Sequence, residues 1–139
     1  MPHNEWVTTP CNFAGVQMRM SFYGPHLQLR WKERKGKDFS VLECAKYTAS
    51  FFEDPRLHVI LERVPDFSHV ALYIESAQTV FFFQKRTKYD FNEIKINTLY
   101  PLKNGGRVLV ERDDYCYILP EEGKLRFGKE RKFFTYKTK

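Results

Sequence analysis

Val16-Gln-Met-Arg-Met-Ser-Phe-Tyr23 alternates without a break. Val16, Met18, Met20 and Phe22 fall on one side, and Gln17, Arg19, Ser21 and Tyr23 on the other. Period two over eight residues is the mark of a strand with one buried face. Gly24-Pro25 interrupts the pattern, and His26-Leu-Gln-Leu-Arg-Trp-Lys32 resumes it, with Leu27, Leu29 and Trp31 opposite His26, Gln28, Arg30 and Lys32. The two segments predict a β-hairpin whose outer face carries Arg19, Tyr23, His26 and Arg30.

Working outward, residues 1–12 contain Pro2 and Pro10 and are expected to form an irregular N-terminal arm. They lack the apolar stretch of a secretory leader. Downstream, residues 34–38 read as a charged loop. Ser40 and Glu43 have the spacing of a capping box, in which hydroxyl and carboxylate satisfy amides of the first helical turn. Leu42, Ala45, Ala49 and Phe52 recur at helical spacing, so the main and longest helix is predicted from Ser40 to Asp54. Pro55 ends it by excluding helical dihedrals from the residue before it.

Beyond the helix the chain reads as β. Strands are expected over residues 57–64, 69–74, 79–85 and 93–100. Asn104-Gly105-Gly106 suits a tight turn, because these residues tolerate positive φ. Residues 107–111 and 115–119 then predict a hairpin around Asp113-Asp114, and residues 123–139 a basic ribbon or tail.

The 139 residues, 42% of them hydrophobic, suffice for one core and one domain, 1–139. The expected class is α+β: a curved antiparallel sheet of six to eight strands with one covering helix, Ser40 to Asp54. Strong curvature toward a partial barrel would bury that many strands under so little helix. Cys11, Cys44 and Cys116 are far apart in sequence and lack zinc-ligand spacing, so neither a metal nor another cofactor is expected. Three dispersed thiols fit a reducing, cytoplasmic compartment. No apolar run is long enough to cross a membrane as a helix. Glycine loops that cradle phosphates and the Gly-x-Ser-x-Gly elbow are both missing from the sequence.

Charge supplies the functional lead. The chain carries a net +6, and residues 79–139 alone hold fourteen Lys/Arg against eight Asp/Glu. Aromatic residues are interleaved with these cations. Cations neutralise phosphates and exposed rings stack on bases, so the pattern points to RNA or single-stranded DNA as partner. Arg19, Arg30, Lys85, Arg86, Lys88, Arg131 and Lys132 are the candidate cations, and Phe82 the candidate stacking ring. The competing reading places the rings in the core and the charges on a solvated rim. A third reading makes exposed rings the anchors of a protein partner, as in an inhibitor or adaptor.

Two family resemblances bear on catalysis. His26 and His69 each open a short alternating segment, which resembles the paired histidines of two-histidine phosphoesterases. That family has Thr or Ser two residues after each histidine; here those positions are Gln28 and Ala71. The helix followed by a basic sheet with Ile94, Ile96, Thr98 and Tyr100 in alternation resembles metal-independent endoribonucleases of the RelE, EndoU and colicin type. That resemblance implies His58 as general acid or base, Lys85 or Arg86 as the cation facing the phosphorane, and Thr98 or Tyr100 as the phosphate-orienting group.

Overall fold

The computed structural model describes residues 6–87, 92–102, 106–127 and 133–137. Lys88, Arg131, Lys132 and the Asn104-Gly105 turn lie outside them. Trp6–Phe13 (β1) and Val16–Tyr23 (β2) pair antiparallel along their whole length, from Trp6 opposite Tyr23 to Phe13 opposite Val16. The expected irregular arm is thus a strand from Trp6 onward. Pro10 is tolerated there because β1 is an edge strand. Ala14 and Gly15 make the connecting turn with φ of 50° and 92°, and Asn12 Oδ1 accepts a 2.8 Å hydrogen bond from the Gly15 amide.

Gly24–Lys35 is a helix, α1, and not the second strand of a hairpin. Proline favours the first helical turn, where its missing N–H costs nothing, and Gly36 at φ 74° closes the far end with its amide on Lys32 O. Leu27 and Trp31 stand four residues apart and are both buried, a spacing that serves helix as well as strand. Leu29, between them, is 52% exposed.

Val41–Ser50 (α2) begins on the expected capping box. Ser40 Oγ accepts from the Glu43 amide at 3.1 Å, and Glu43 Oε1 accepts from the Ser40 amide at 3.0 Å. At ten residues it is shorter than the twelve of α1. Asp54 caps the next turn, Pro55–Leu57, by accepting from the Arg56 amide. That turn leads into His58–Arg63 (α3), so the strand expected over residues 57–64 is helical. Leu57, Ile60 and Val64 are its buried positions, a three-to-four residue period that the alternation of Leu57, Val59 and Leu61 masks.

The remaining main-sheet strands are His69–Ile74 (β3), Thr79–Arg86 (β4), Glu93–Pro101 (β5), Tyr115–Leu119 (β7) and Arg126–Phe127 (β8). The order is β1-β2-β5-β4-β3-β7-β8. The class is α+β as expected, but the sheet is mixed: β2–β5 and β3–β7 run parallel. It stays open, with β1 and β8 as edges. Val108–Val110 (β6) does not form a hairpin with β7; it pairs parallel with Phe134–Tyr136 (β9) in a separate two-stranded sheet.

Two clusters of buried side chains lie on opposite faces of the main sheet, because neighbours along a strand point opposite ways. On one face Phe13, Met20, Phe22, Phe81, Phe83, Ile94 and Ile96 meet the helices through Trp31, Phe52 and Ile60. On the other, Ala71, Tyr73, Val80, Cys116 and Ile118 meet β6 and β9 through Val108, Val110 and Phe134. The β6–β9 roof lies over the β4-β3-β7 side. The β1-β2-β5 side of that second face carries the candidate site.

Candidate nucleic-acid interface

Strand parity decides which side chains occupy the open face. On β1, Cys11 and Phe13 join the helix-side core, so Trp6, Thr8, Pro10 and Asn12 point the other way. On β2, Met18, Met20 and Phe22 are buried beneath the helices, leaving Gln17, Arg19, Ser21 and Tyr23 opposite. On β5 a register shift against Phe82 and Phe83 pairs them with Thr98 and Ile96 and leaves Asn97 as the extra residue. Such a bulge re-aims the residues beside it. Ile94, Ile96 and Leu99 all reach the helix-side core, while Lys95, Thr98 and Tyr100 share the open side.

The pairings align these residues in rows across the strands. Thr8 stands opposite Ser21, Ser21 opposite Lys95, Lys95 opposite Gln84, and Gln84 opposite His69. This row of hydrogen-bonding side chains crosses five strands, spaced about 4.8 Å apart. Arg19, Glu93 and Arg86 form the next row, with Arg86 Nη1 3.4 Å from Glu93. On the other side of the polar row, Trp6 and Tyr23 pair with ring centroids 6.0 Å apart, 45% and 40% exposed. The Lys95 ammonium lies 5.1 Å from the Trp6 ring centre. A cation there is held by the ring quadrupole while remaining near solvent.

Helix α1 closes one end of this face. The β2–β5 pairing runs from Arg19–Glu93 to Ser21–Lys95, and α1 packs along the later part of β5. His26 Nε2 is 2.6 Å from Thr98 Oγ1. One turn on, the Arg30 guanidinium sits 4.7 Å over the Tyr100 ring and 3.1 Å from Glu33. Burial, and then the charge of Arg30, hold the His26 pKa below its ordinary 6.5, so the imidazole is neutral at pH 7. A neutral ring presents one donor and one acceptor. Trp6, Tyr23, Pro25, His26, Leu29 and Lys95 line a cavity of about 550 Å³ between the strand ends and the helix.

The residues singled out from the sequence fall in several places. Arg19, Arg30, Thr98 and Tyr100 converge on the open face or its rim. Arg86 is on the same face, engaged with Glu93 and lying 5.8 Å from the Phe67 ring centre. Phe82 is half-buried edge-on to Tyr100, centroids 5.8 Å apart, and belongs to the packing beneath the β6–β9 roof.

Lys85 is a correction. It shares the face of Phe81 and Phe83, is 6% exposed, and donates to Leu61 O at 2.9 Å with Asp66 Oδ1 at 3.4 Å. Asp66 in turn accepts from the Thr87 amide and hydroxyl, each at 2.7 Å. Lys85 therefore ties β4 to α3 and is withheld from any phosphate.

His58 is exposed on α3 and engages Glu62 at 2.8 Å, on the helix side of the sheet and away from Thr98. His26 and His69 do not form a pair. The partner of His26 is Thr98, and Asp114 lies in the field of His69.

Trp6, Lys95 and Asn97 escaped the sequence reading. Trp6 had the only available signal, a tryptophan at the start of a period-two run that includes Cys11 and Phe13. Cys11, Cys44 and Cys116 are free and buried; burial pushes the Cys11 and Cys116 thiols up to about 12, which removes them as nucleophiles. Among the described residues no helix is long and apolar enough to cross a membrane. No family model, curated protein or solved structure matches the chain.

Proposed function

We propose that the open β1-β2-β5 face binds single-stranded nucleic acid, with Trp6 and Tyr23 as the stacking platform and Arg19 and Lys95 as phosphate contacts. The observation that carries this reading is the pair of half-exposed rings with a lysine ammonium 5.1 Å from one of them. Rings in that position have no core to fill, and their π-faces suit unpaired bases of any identity. Thr8 and His69, exposed at the two ends of the polar row, supply further hydrogen-bonding groups, whereas Ser21 is buried and Gln84 is engaged by Phe67 O and Arg86. Arg30 and Arg86 add positive potential, although each already faces a carboxylate.

The test is retardation of labelled single-stranded RNA and DNA oligomers against duplex controls at several salt concentrations. Binding to single strands should weaken steeply with salt, because each neutralised phosphate releases a condensed counterion. Lys95→Glu should weaken binding far more than Lys37→Glu, since Lys37 lies over Phe39 on the helix side. Failure to bind any oligomer at moderate salt would transfer the exposed rings to a protein partner.

A second reading, metal-independent RNA cleavage, is favoured by the His26–Thr98 contact. A neutral histidine beside a hydroxyl and a nearby lysine has the parts to deprotonate a ribose 2′-hydroxyl and face the phosphorane. It replaces His58 with His26 in the role of base. RNA cut in EDTA by the pure protein, but not by His26→Ala, would support it; intact RNA would leave the protein a binder.

A further inference from the structure

The cavity at the end of the open face has the shape and chemistry of a subsite, beyond a platform. It is an open depression of about 550 Å³, lined mainly by apolar surface with a few polar groups among it. Trp6 and Tyr23 form one wall. Leu29, 52% exposed on α1, lines the cavity as well. Asn97, exposed at the bulge, offers an amide donor and acceptor side by side. With Nε2 of His26 engaged by Thr98, Nδ1 is the nitrogen left to meet a ligand edge. Lys95 stands at the mouth, beside the path proposed for the phosphates.

We infer that this cavity holds one purine base of the bound strand, seated between the Trp6–Tyr23 wall and Leu29, with its edge toward Asn97 and His26. The inference rests on the nucleic-acid reading of the open face. A purine is the fitting occupant because stacking increases with the ring area covered, and Trp6, Tyr23 and Leu29 together leave a wide apolar area exposed there. Positive charge at the mouth matches a nucleotide, whose phosphate is attached to the base it carries.

The experiment compares fluorescence anisotropy of a labelled uridine dodecamer with the same dodecamer carrying one central adenosine. The adenosine should tighten binding about tenfold, as expected for one added base–aromatic stack with edge contacts. Within Leu29→Asp, and separately within Asn97→Ala, the ratio of the two affinities should fall below about twofold; both positions are exposed, so the fold is retained. Equal affinities for the two oligomers, with salt-sensitive binding intact, would overturn the subsite and leave the platform. A ratio that persists in Leu29→Asp would also overturn it. Binding of neither oligomer would overturn the subsite together with the reading beneath it. Adenosine monophosphate competing as well as the adenosine-containing dodecamer would overturn its assignment to a strand.

Discussion

The two faces of the main sheet use the same residue types for opposite ends. Beneath the helices, Phe13, Phe52, Phe81 and Phe83 form a connected set of rings, with centroids 5.3 to 6.2 Å apart. All four are fully buried. At the β1-β2 end of the other face, Trp6 and Tyr23 lie at a similar 6.0 Å but remain exposed. Lysine divides likewise: Lys85 is buried in an ion pair beneath the helices, and Lys95 rests against Trp6 on the open side. Composition alone therefore does not identify a binding surface. What distinguishes the two is the side of the sheet each residue faces, and what covers that side.

The largest expected effect lies on the closed face. Phe81→Ala should lower stability by about 4 kcal/mol, the cost of lost burial plus a residual cavity, whereas Trp6→Ala should lower it by only about 1 kcal/mol, the loss of its contacts with Tyr23 and Lys95. In binding the order reverses: Trp6→Ala should cost about 1–3 kcal/mol of affinity for a single strand. Urea melts and oligomer titrations on the two variants check both halves. Equal destabilisation would erase the distinction between the faces.

Next is the lysine pair. Lys85→Ala removes a buried cation from beside Asp66 and its hydrogen bond to Leu61 O and should cost about 3 kcal/mol, while Lys95→Ala should scarcely alter the urea midpoint. A stable Lys85→Ala protein that has lost oligomer binding would restore Lys85 to the interface.

The smallest effect is one of pH. The folded chain resists protonation of His26, chiefly through burial and then through Arg30, while Glu33 opposes this. The unfolded chain takes up that proton near the ordinary 6.5. Stability from this group is therefore complete above about 6.5 and declines as pH falls below it. His26→Gln, which can still bond Thr98, should flatten that decline relative to the parent protein. Superimposable pH profiles of the urea midpoint would show that His26 titrates alike in both states.

Much of this was legible in the chain because alternation reports which side chains share a face. It identified β2, β3, β4 and β5 closely, and the Ser40–Glu43 capping box located the start of α2. Alternation fails where four-residue spacing satisfies both periods, as at Leu27 and Trp31, so α1 read as a strand. Its true signals were local: Pro25 in the first turn and Gly36 after the last. The same confusion hid α3. Neither can alternation name a strand's neighbour. The parallel β2–β5 pairing joins Arg19 to Glu93, and with it Trp6 to Lys95, across most of the chain. That pairing, the bulge at Asn97 and the edge position of β1 build the site. Arg19, Arg30, Thr98 and Tyr100 could be picked out individually, but their convergence could not.

The chain's two tryptophans allow the most direct test, because they lie on opposite faces. Trp31 is buried under the helices, its indole N–H donating to Thr48 Oγ1 at 2.8 Å, and Trp6 is on the open side. A ¹⁵N-labelled sample titrated with a single-stranded RNA oligomer reports both indole N–H signals at once. The Trp6 signal should shift progressively with added RNA while the Trp31 signal stays in place. Shifts of both signals, of Trp31 alone, or of neither, would contradict binding through the open face.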